Sequence, residues 1–222
     1  MTPTRADGFV PIASYAGIGD GRTVALVALD GRVDWWPMPS LDAPPTFAAV
    51  LDPAHGGYVE LAPDVPFEVS RGYIGESNVL ATTFHTDAGE VRVTDALTVG
   101  RAGRLPWGEL ARRVEGVSGA VPMRWTVAPG SRFGSARPWI ETRKGSVLLH
   151  AGDQHVALRH REVGRPAVHG NRVTGRFTTQ PGSRGSSPSP APTTSRCSSP
   201  RPRRSTRAST VRWRAGRTGR SR

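Results

Sequence analysis

Cysteine is nearly absent from this sequence: Cys197 is the only one in 222 residues. No intramolecular disulfide can form, so the fold must rest on its apolar core. Long hydrophobic runs are also missing. None approaches the ~18–20 apolar residues that a membrane-spanning helix needs. The first residues, MTPTRADGFVPIAS, lack the apolar stretch of a secretory signal and carry an acid early, so a soluble cytoplasmic protein is expected. The six histidines (His55, His85, His150, His155, His160 and His169) fall in no H-E-x-x-H pattern and no Cys/His cluster. His150, His155 and His160 recur every five residues around a turn, which is a weak basis for a metal site. Neither a metal nor a cofactor is therefore expected. No G-x-S-x-G motif occurs, and no Ser, His and acid single themselves out as a triad.

Acidic residues vanish after Glu162, and this changes how the charge is read. The formal charge of +12 suggests a nucleic-acid binder. Residues 181–222, however, hold 11 arginines and no acid, which leaves residues 1–180 with a net charge of +1. The high isoelectric point belongs to the tail, and net charge gives no argument for nucleic-acid binding by the whole chain.

What is present, from residue 1 to about 178, is a series of short apolar-patterned runs separated by turns. Thr23–Leu29 reads as a buried strand, and Asp30-Gly31 then leads into Arg32–Trp36. Asp-Gly between two such runs is a hairpin signal, because both residues tolerate positive φ. Asn78–Thr86 and Glu90–Thr98 flank Asp87-Ala88-Gly89, a second hairpin in which Val91, Val93 and Asp95 share one face. Further strands are expected at Gly57–Leu61, Phe67–Ile74, Glu109–Glu115, Val121–Val127, Ser146–Ala151, His155–His160 and Val173–Thr178. Only Pro45–Leu51 reads as helical. Turn signals every 8–12 residues predict an all-β antiparallel sandwich over residues 1–178. From about residue 179 the sequence is Ser, Arg, Pro, Thr and Ala, with Val211 and Trp213 almost alone as large apolar residues. Such a segment buries too little to offset its ordering entropy, so 179–222 is expected to be a disordered tail.

The richest stretch runs from Tyr15 to Asp52. Gly17-Ile18-Gly19-Asp20-Gly21 precedes a strand rather than opening a helix, so it reads as a turn and not a phosphate cradle. Asp34, Trp35 and Trp36 offer a sugar-stacking platform. Alternatively the two indoles lie on opposite faces of a strand, one in the core and one at a domain interface. Asp34 and Asp42 are eight residues apart and invite comparison with a glycosidase carboxylate pair, although turn aspartates are commoner. Asp34, Trp35, Trp36 and Asp42 are the candidate substrate or domain-interface residues. An apolar patch is expected near Trp35, Trp36, Met38 and Leu41. Glu109 and Glu115 flank Arg112 and Arg113 and suggest solvated ion pairs.

Taken together, Gly19-Asp20-Gly21-Arg22-Thr23, Asp30-Gly31, Asp34-Trp35, Pro39, Asp42, Pro44 and Phe47 resemble the opening of bacterial family 15 glycoside hydrolases, the glucoamylase and trehalase type. The resemblance continues through Arg71–Tyr73, Asn78–Phe84, Glu90–Asp95, Leu110–Gly116 and Val121–Pro129, and covers roughly residues 12–178. It implies an N-terminal β-supersandwich followed by an (α/α)6 barrel whose paired glutamates hydrolyse α-glucosidic bonds with inversion. Ser40 departs from the arginine or asparagine common in the family. No residue matches the family's general acid or base, so no catalytic residue is assigned and the chain is expected to be inactive alone. The implied partners are the catalytic barrel and an α-glucoside, with no specific nucleic acid and no membrane.

The rival reading is a non-enzymatic, basic-tailed protein whose arginines contact phosphates non-specifically. With Trp213 the only aromatic in the tail, base stacking has little to use. The expectation is instead that 181–222 is a frameshifted tail, because its residue set is what GC-rich codons yield out of frame. Resequencing the locus checks this: an alternative frame from about codon 180 should encode acid-containing sequence, and an intact stop with no such frame would defeat the reading.

Overall fold

In the computed structural model, residues 4–99, 107–143, 146–182 and 209–217 are described. The strands are β1 (Tyr15–Gly19), β2 (Val24–Ala28), β3 (Arg32–Pro37), β4 (Pro45–Phe47), β5 (Gly57–Pro63), β6 (Glu68–Tyr73), β7 (Leu80–Thr86) and β8 (Gly89–Leu97). They continue as β9 (Trp107–Gly119), β10 (Pro122–Pro129), β11 (Trp139–Arg143), β12 (Ser146–Ala151), β13 (Gln154–Arg161), β14 (Ala167–His169), β15 (Arg172–Thr178) and β16 (Ser209–Arg217). Two antiparallel sheets result. One runs β1-β2-β3-β5-β10-β15-β14, with β4 paired to β3; the other runs β11-β12-β13-β16-β9-β8-β7-β6. The all-β expectation holds, and the only helical turn among the described residues is a 3-10 stretch at Ile12–Ser14.

Local sequence explains much of this. At the β2–β3 turn, Gly31 has φ +82°, and a Cβ there would lie 2.4 Å from the Leu61 carbonyl oxygen. Only glycine fits, and Asp30 Oδ1 closes the turn by accepting the Arg32 N–H at 3.2 Å. Each strand then presents alternate residues inward. Val27, Val33, Val59, Leu61, Trp125, Val127 and Val173 line one sheet; Leu80, Phe84, Val91, Val93, Leu110, Val114, Val156 and Leu158 line the other. Trp125 sits opposite Gly175 in the β10–β15 ladder, where a Cβ would lie 2.4 Å from the indole. The indole N–H donates to the Val163 carbonyl at 2.7 Å, so this buried ring is both accommodated and hydrogen-bonded.

Asp95 shares the inward face with Val91 and Val93, as their spacing predicted, and its partner is Arg112. The two are directly opposite in the β8–β9 ladder. Arg112 Nε donates to Asp95 Oδ1 at 2.7 Å and Nη2 donates to Oδ2 at 3.0 Å. Nη1 crosses to the other sheet and donates to the Gly31 carbonyl at 2.8 Å. Arg112 is thus a buried staple, not the solvated partner of Glu109 and Glu115 that the sequence suggested.

One further expectation needs correction. Pro45–Leu51 is not helical: Pro45–Phe47 is strand β4, and a turn follows. Its apolar run is continuous because Pro45–Phe47, Ala48 and Ala49 are all buried, which removes the periodicity that separates strand from helix. The sandwich also extends past residue 178. Thr179 is buried, its N–H donates to the Val121 carbonyl at 3.0 Å, and Gly182 N–H donates to the Gly116 carbonyl at 3.1 Å. Beyond residue 182 the described stretch is Ser209–Arg217, a strand between β13 and β9.

Removing one member of the Arg112–Asp95 pair strands a buried charge, which typically costs ~3–5 kcal/mol. Urea unfolding should show losses of that order for Arg112→Met and for Asp95→Leu singly. The double variant should be more stable than either single one, because an apolar pair leaves no orphan.

Candidate functional site

The candidate residues lie where β3 runs into the loop before β4. Asp34 has no accessible surface. Its Oδ2 accepts hydrogen bonds from Arg5 Nη2 and from the Tyr15 hydroxyl, each at 2.8 Å. Arg32 shares the same strand face two residues away and brings Nε to 3.1 Å from Asp34 Oδ1 as an ion pair. The Arg32 guanidinium also lies 3.7 Å above the Tyr58 ring centroid. Arg5 binds Asp30 as well, with Nε 2.6 Å from Oδ2 and Nη2 3.0 Å from Oδ1. Two arginines and two aspartates thus close a neutral node that clasps the N-terminal segment onto the sandwich.

Titration in this node follows from its contacts. Burial acts against the Arg5 charge, but the Asp30 and Asp34 carboxylates outweigh it and hold the guanidinium above its usual range. Burial, then the bond to Asp34, pushes the Tyr15 phenol up. A carboxylate sealed in this way is not placed to flank a sugar.

The other candidates separate. Trp36 is fully buried and stacks on Phe47 with ring centroids 6.3 Å apart and planes 9° apart. Met38 is buried beside it in the core. Trp35 is half-buried and Asp42 is exposed, with the Ser40 hydroxyl donating to Asp42 Oδ1 at 2.6 Å. The apolar patch expected around Trp35, Trp36, Met38 and Leu41 is therefore reduced: Trp36 and Met38 fill the core, and Leu41 is exposed at the loop tip.

That loop is fixed at three points. Leu41 N–H donates to the Arg22 carbonyl at 3.2 Å, which ties it to the Gly19–Thr23 turn. On the other side Gln154 of β13, buried, donates from Nε2 to the carbonyls of Met38 and Pro44, each at 2.8 Å. The Thr46 hydroxyl donates to Gln154 Oε1. Sequence reasoning missed Arg5, Tyr15 and Gln154, because each acts through a partner remote in the chain, and it missed Arg32, which strand alternation with Asp34 could have found. Only the density of Asp-Gly turns around residues 19–42 hinted at a fixed loop.

Two further features lie towards the β11 edge. Trp139, half-exposed, stacks on His150 with centroids 3.8 Å apart and planes 3° apart. Across the β12–β13 hairpin the Nδ1 atoms of His150 and His155 are 2.6 Å apart. Glu141 Oε2 lies 3.5 Å from His150 Nε2, on the other side of the ring. Among the described residues no three His, Cys, Asp or Glu side chains converge as metal ligands. A cleft of about 270 Å³ opens beside Pro138, between Tyr58, Pro129 and Arg172.

The sandwich can now be set beside known proteins. The family described as "Trehalase-like, N-terminal" matches residues 5–183, from the Arg5 clasp to the contact of Gly182 with β9. This chain belongs to that family. The trehalase-like domain resembles the trehalase of Mycolicibacterium smegmatis (35% identity, over 55% of this chain and 18% of that protein). It is also similar to the trehalases of Mycobacterium tuberculosis (31% identity, 68% of this chain, 25% of that protein) and Thermoplasma volcanium (26% identity, 68% and 25%). The chain spans about a quarter or less of the length of these relatives. No helix among the described residues is long and apolar enough to cross a membrane.

The histidine stack gives this domain a pH response. His150 is held below its usual 6.5, first by burial and then by the His155 imidazole; burial also lowers His160. The unfolded chain therefore takes up protons near pH 6.5 before the folded chain does, and stability present above that pH is lost as pH falls below it. Urea midpoints at pH 7.5 and 5.5 should differ in that sense. His150→Phe, which keeps the stack on Trp139, should reduce the difference, and His150→Phe/His160→Leu should reduce it further.

Proposed function

We propose that this chain is the non-catalytic sandwich of a trehalase-type α-glucoside hydrolase in the cytoplasm, and that its partner is a catalytic barrel. The observation that carries the reading is the family match over residues 5–183, set against trehalase relatives of which the chain spans 18–25%. Two features of the geometry support it. The carboxylate that most invited a catalytic role, Asp34, is consumed by Arg5, Arg32 and Tyr15. The loop over residues 38–44 is held from both sides and offers Leu41 and Asp42 outward, an arrangement suited to positioning a neighbouring domain. An α-glucoside contact of this chain would come through that shared boundary, with Trp35 and Asp42 the candidate residues that reach the surface.

An inverting hydrolase needs an acid and a base on opposite sides of the scissile bond. The purified chain should therefore show no turnover of trehalose, maltose or starch. Turnover abolished by Asp34→Asn or Asp42→Asn would overturn the proposal. In a binding assay with a separately purified trehalase catalytic domain, Leu41→Asp should weaken association, whereas Val168→Asp, on the β14 edge, should leave it unchanged.

A further inference from the structure

Strands β9 and β13 are not bonded to each other; a single strand, Ser209–Arg217, fills the gap between them. Without it the sheet falls into two parts, and β9 and β13 each expose a row of unpaired backbone groups facing a one-strand gap. Such a gap accepts an extended segment through its main chain, and alternate side chains give the selectivity.

The register defines what fits. Trp213 falls opposite Leu158 on one side and Leu110 on the other, and Ala215 opposite Val156 and Gly108. Val211 falls opposite His160 and Arg112. Leu110, Leu158, Val156 and Arg112 are buried, so these are the core-facing positions of the ladder. Arg212 falls opposite Ala111 and the exposed Arg159, and Arg214 opposite Glu109 and Ala157. The gap thus calls for a segment that alternates apolar and polar residues, and STVRWRAGR does so.

The entrance to the gap is equally well defined. Gln180 passes over Gly116, where a Cβ would lie 2.4 Å from the Gln180 carbonyl oxygen, and Gly182 N–H donates to the Gly116 carbonyl. Ser209 pairs with Val114, two residues further along β9. The chain therefore reaches the mouth of the gap at Gly182, and residues 183–208 intervene before Ser209 enters almost at the same point. The family match ends at residue 183, so the occupying strand lies outside it.

We infer that the gap between β9 and β13 is a strand-accepting site for an extended, alternating segment entering from Gly182, and that Ser209–Arg217 occupies it as a substitutable insert. The site recognises backbone and alternation, not a unique sequence, so a peptide supplied in trans competes for it.

Three measurements test this. In the full chain, Val211→Pro removes a ladder donor, and hydrogen exchange should rise in Leu110–Val114 and Val156–His160, whereas Ser195→Pro should leave both protected. Unchanged exchange in those segments with Val211→Pro would overturn the inference. Second, deletion of residues 184–208 lets Ser183 link Gly182, opposite Gly116, to Ser209, opposite Val114, in continuous register. This chain should fold with a higher unfolding midpoint than the parent, because a long loop closure is removed. Loss of the folded state there would also overturn it. Third, the chain ending at Gly182 should bind a fluorescent peptide of residues 207–219 saturably, and the same peptide with Val211→Pro and Trp213→Pro should not bind. Equal binding of both peptides would defeat selection by the ladder. If the shortened chain does not fold, the exchange and deletion measurements decide.

Discussion

A fully buried guanidinium joins the two sheets inside the core. Arg112 spends two of its donors on Asp95 in its own sheet and a third on the Gly31 carbonyl of the other. Apolar contacts hold the layers together but are non-directional, so they tolerate sliding. A planar, five-donor group with fixed geometry does not. The carbonyl it meets belongs to a turn whose glycine also receives the Leu61 N–H at 3.2 Å, so β2, β3, β5, β8 and β9 converge on one oxygen and its neighbours. The position of the β2–β3 hairpin, and with it the start of β3 and its acidic node, follows from that contact.

Polar groups are used in this sandwich as fasteners between parts remote in sequence. Arg5 clasps the N-terminal segment onto Asp30 and Asp34, Gln154 ties the second sheet to the loop after β3, and the Tyr73 hydroxyl donates to the Gly17 carbonyl at 2.7 Å across the open edges. Arg5 and Gln154 are each bonded through several atoms, which is the condition under which buried polar groups specify a fold and do not weaken it. The carboxylates in these fasteners are committed to structure, which accords with a domain that supports chemistry performed elsewhere.

The sequence showed most clearly what is local. The Asp30-Gly31 turn and the Thr86–Gly89 turn declared their hairpins, and Ser146–Ala151 was read with its observed limits, because alternation and turn chemistry act within a few residues. Strands β11 and β14 were not read: they are edge strands with almost no buried residue, so they carry no apolar period. Strand β1 was read as a turn because only Ala16 and Ile18 mark its inner face among glycines. The site was less legible than the fold. Asp34 and Trp36 stood out by residue type, yet their roles depend on Arg5, Tyr15 and Phe47, and no spacing rule links a strand residue to a partner in a distant segment.

The fixation of the loop at Met38, Leu41 and Pro44, by Arg22 and Gln154, has a thermodynamic consequence. Ordering a free loop on association removes conformational entropy, and an interface must overcome that loss before any net affinity appears. Here the loss is already met within the sandwich, by hydrogen bonds formed during its own folding. A surface that docks on Leu41 and Asp42 meets a template of settled shape, so complementarity alone, and not the stiffening of the loop, sets how tightly it is held.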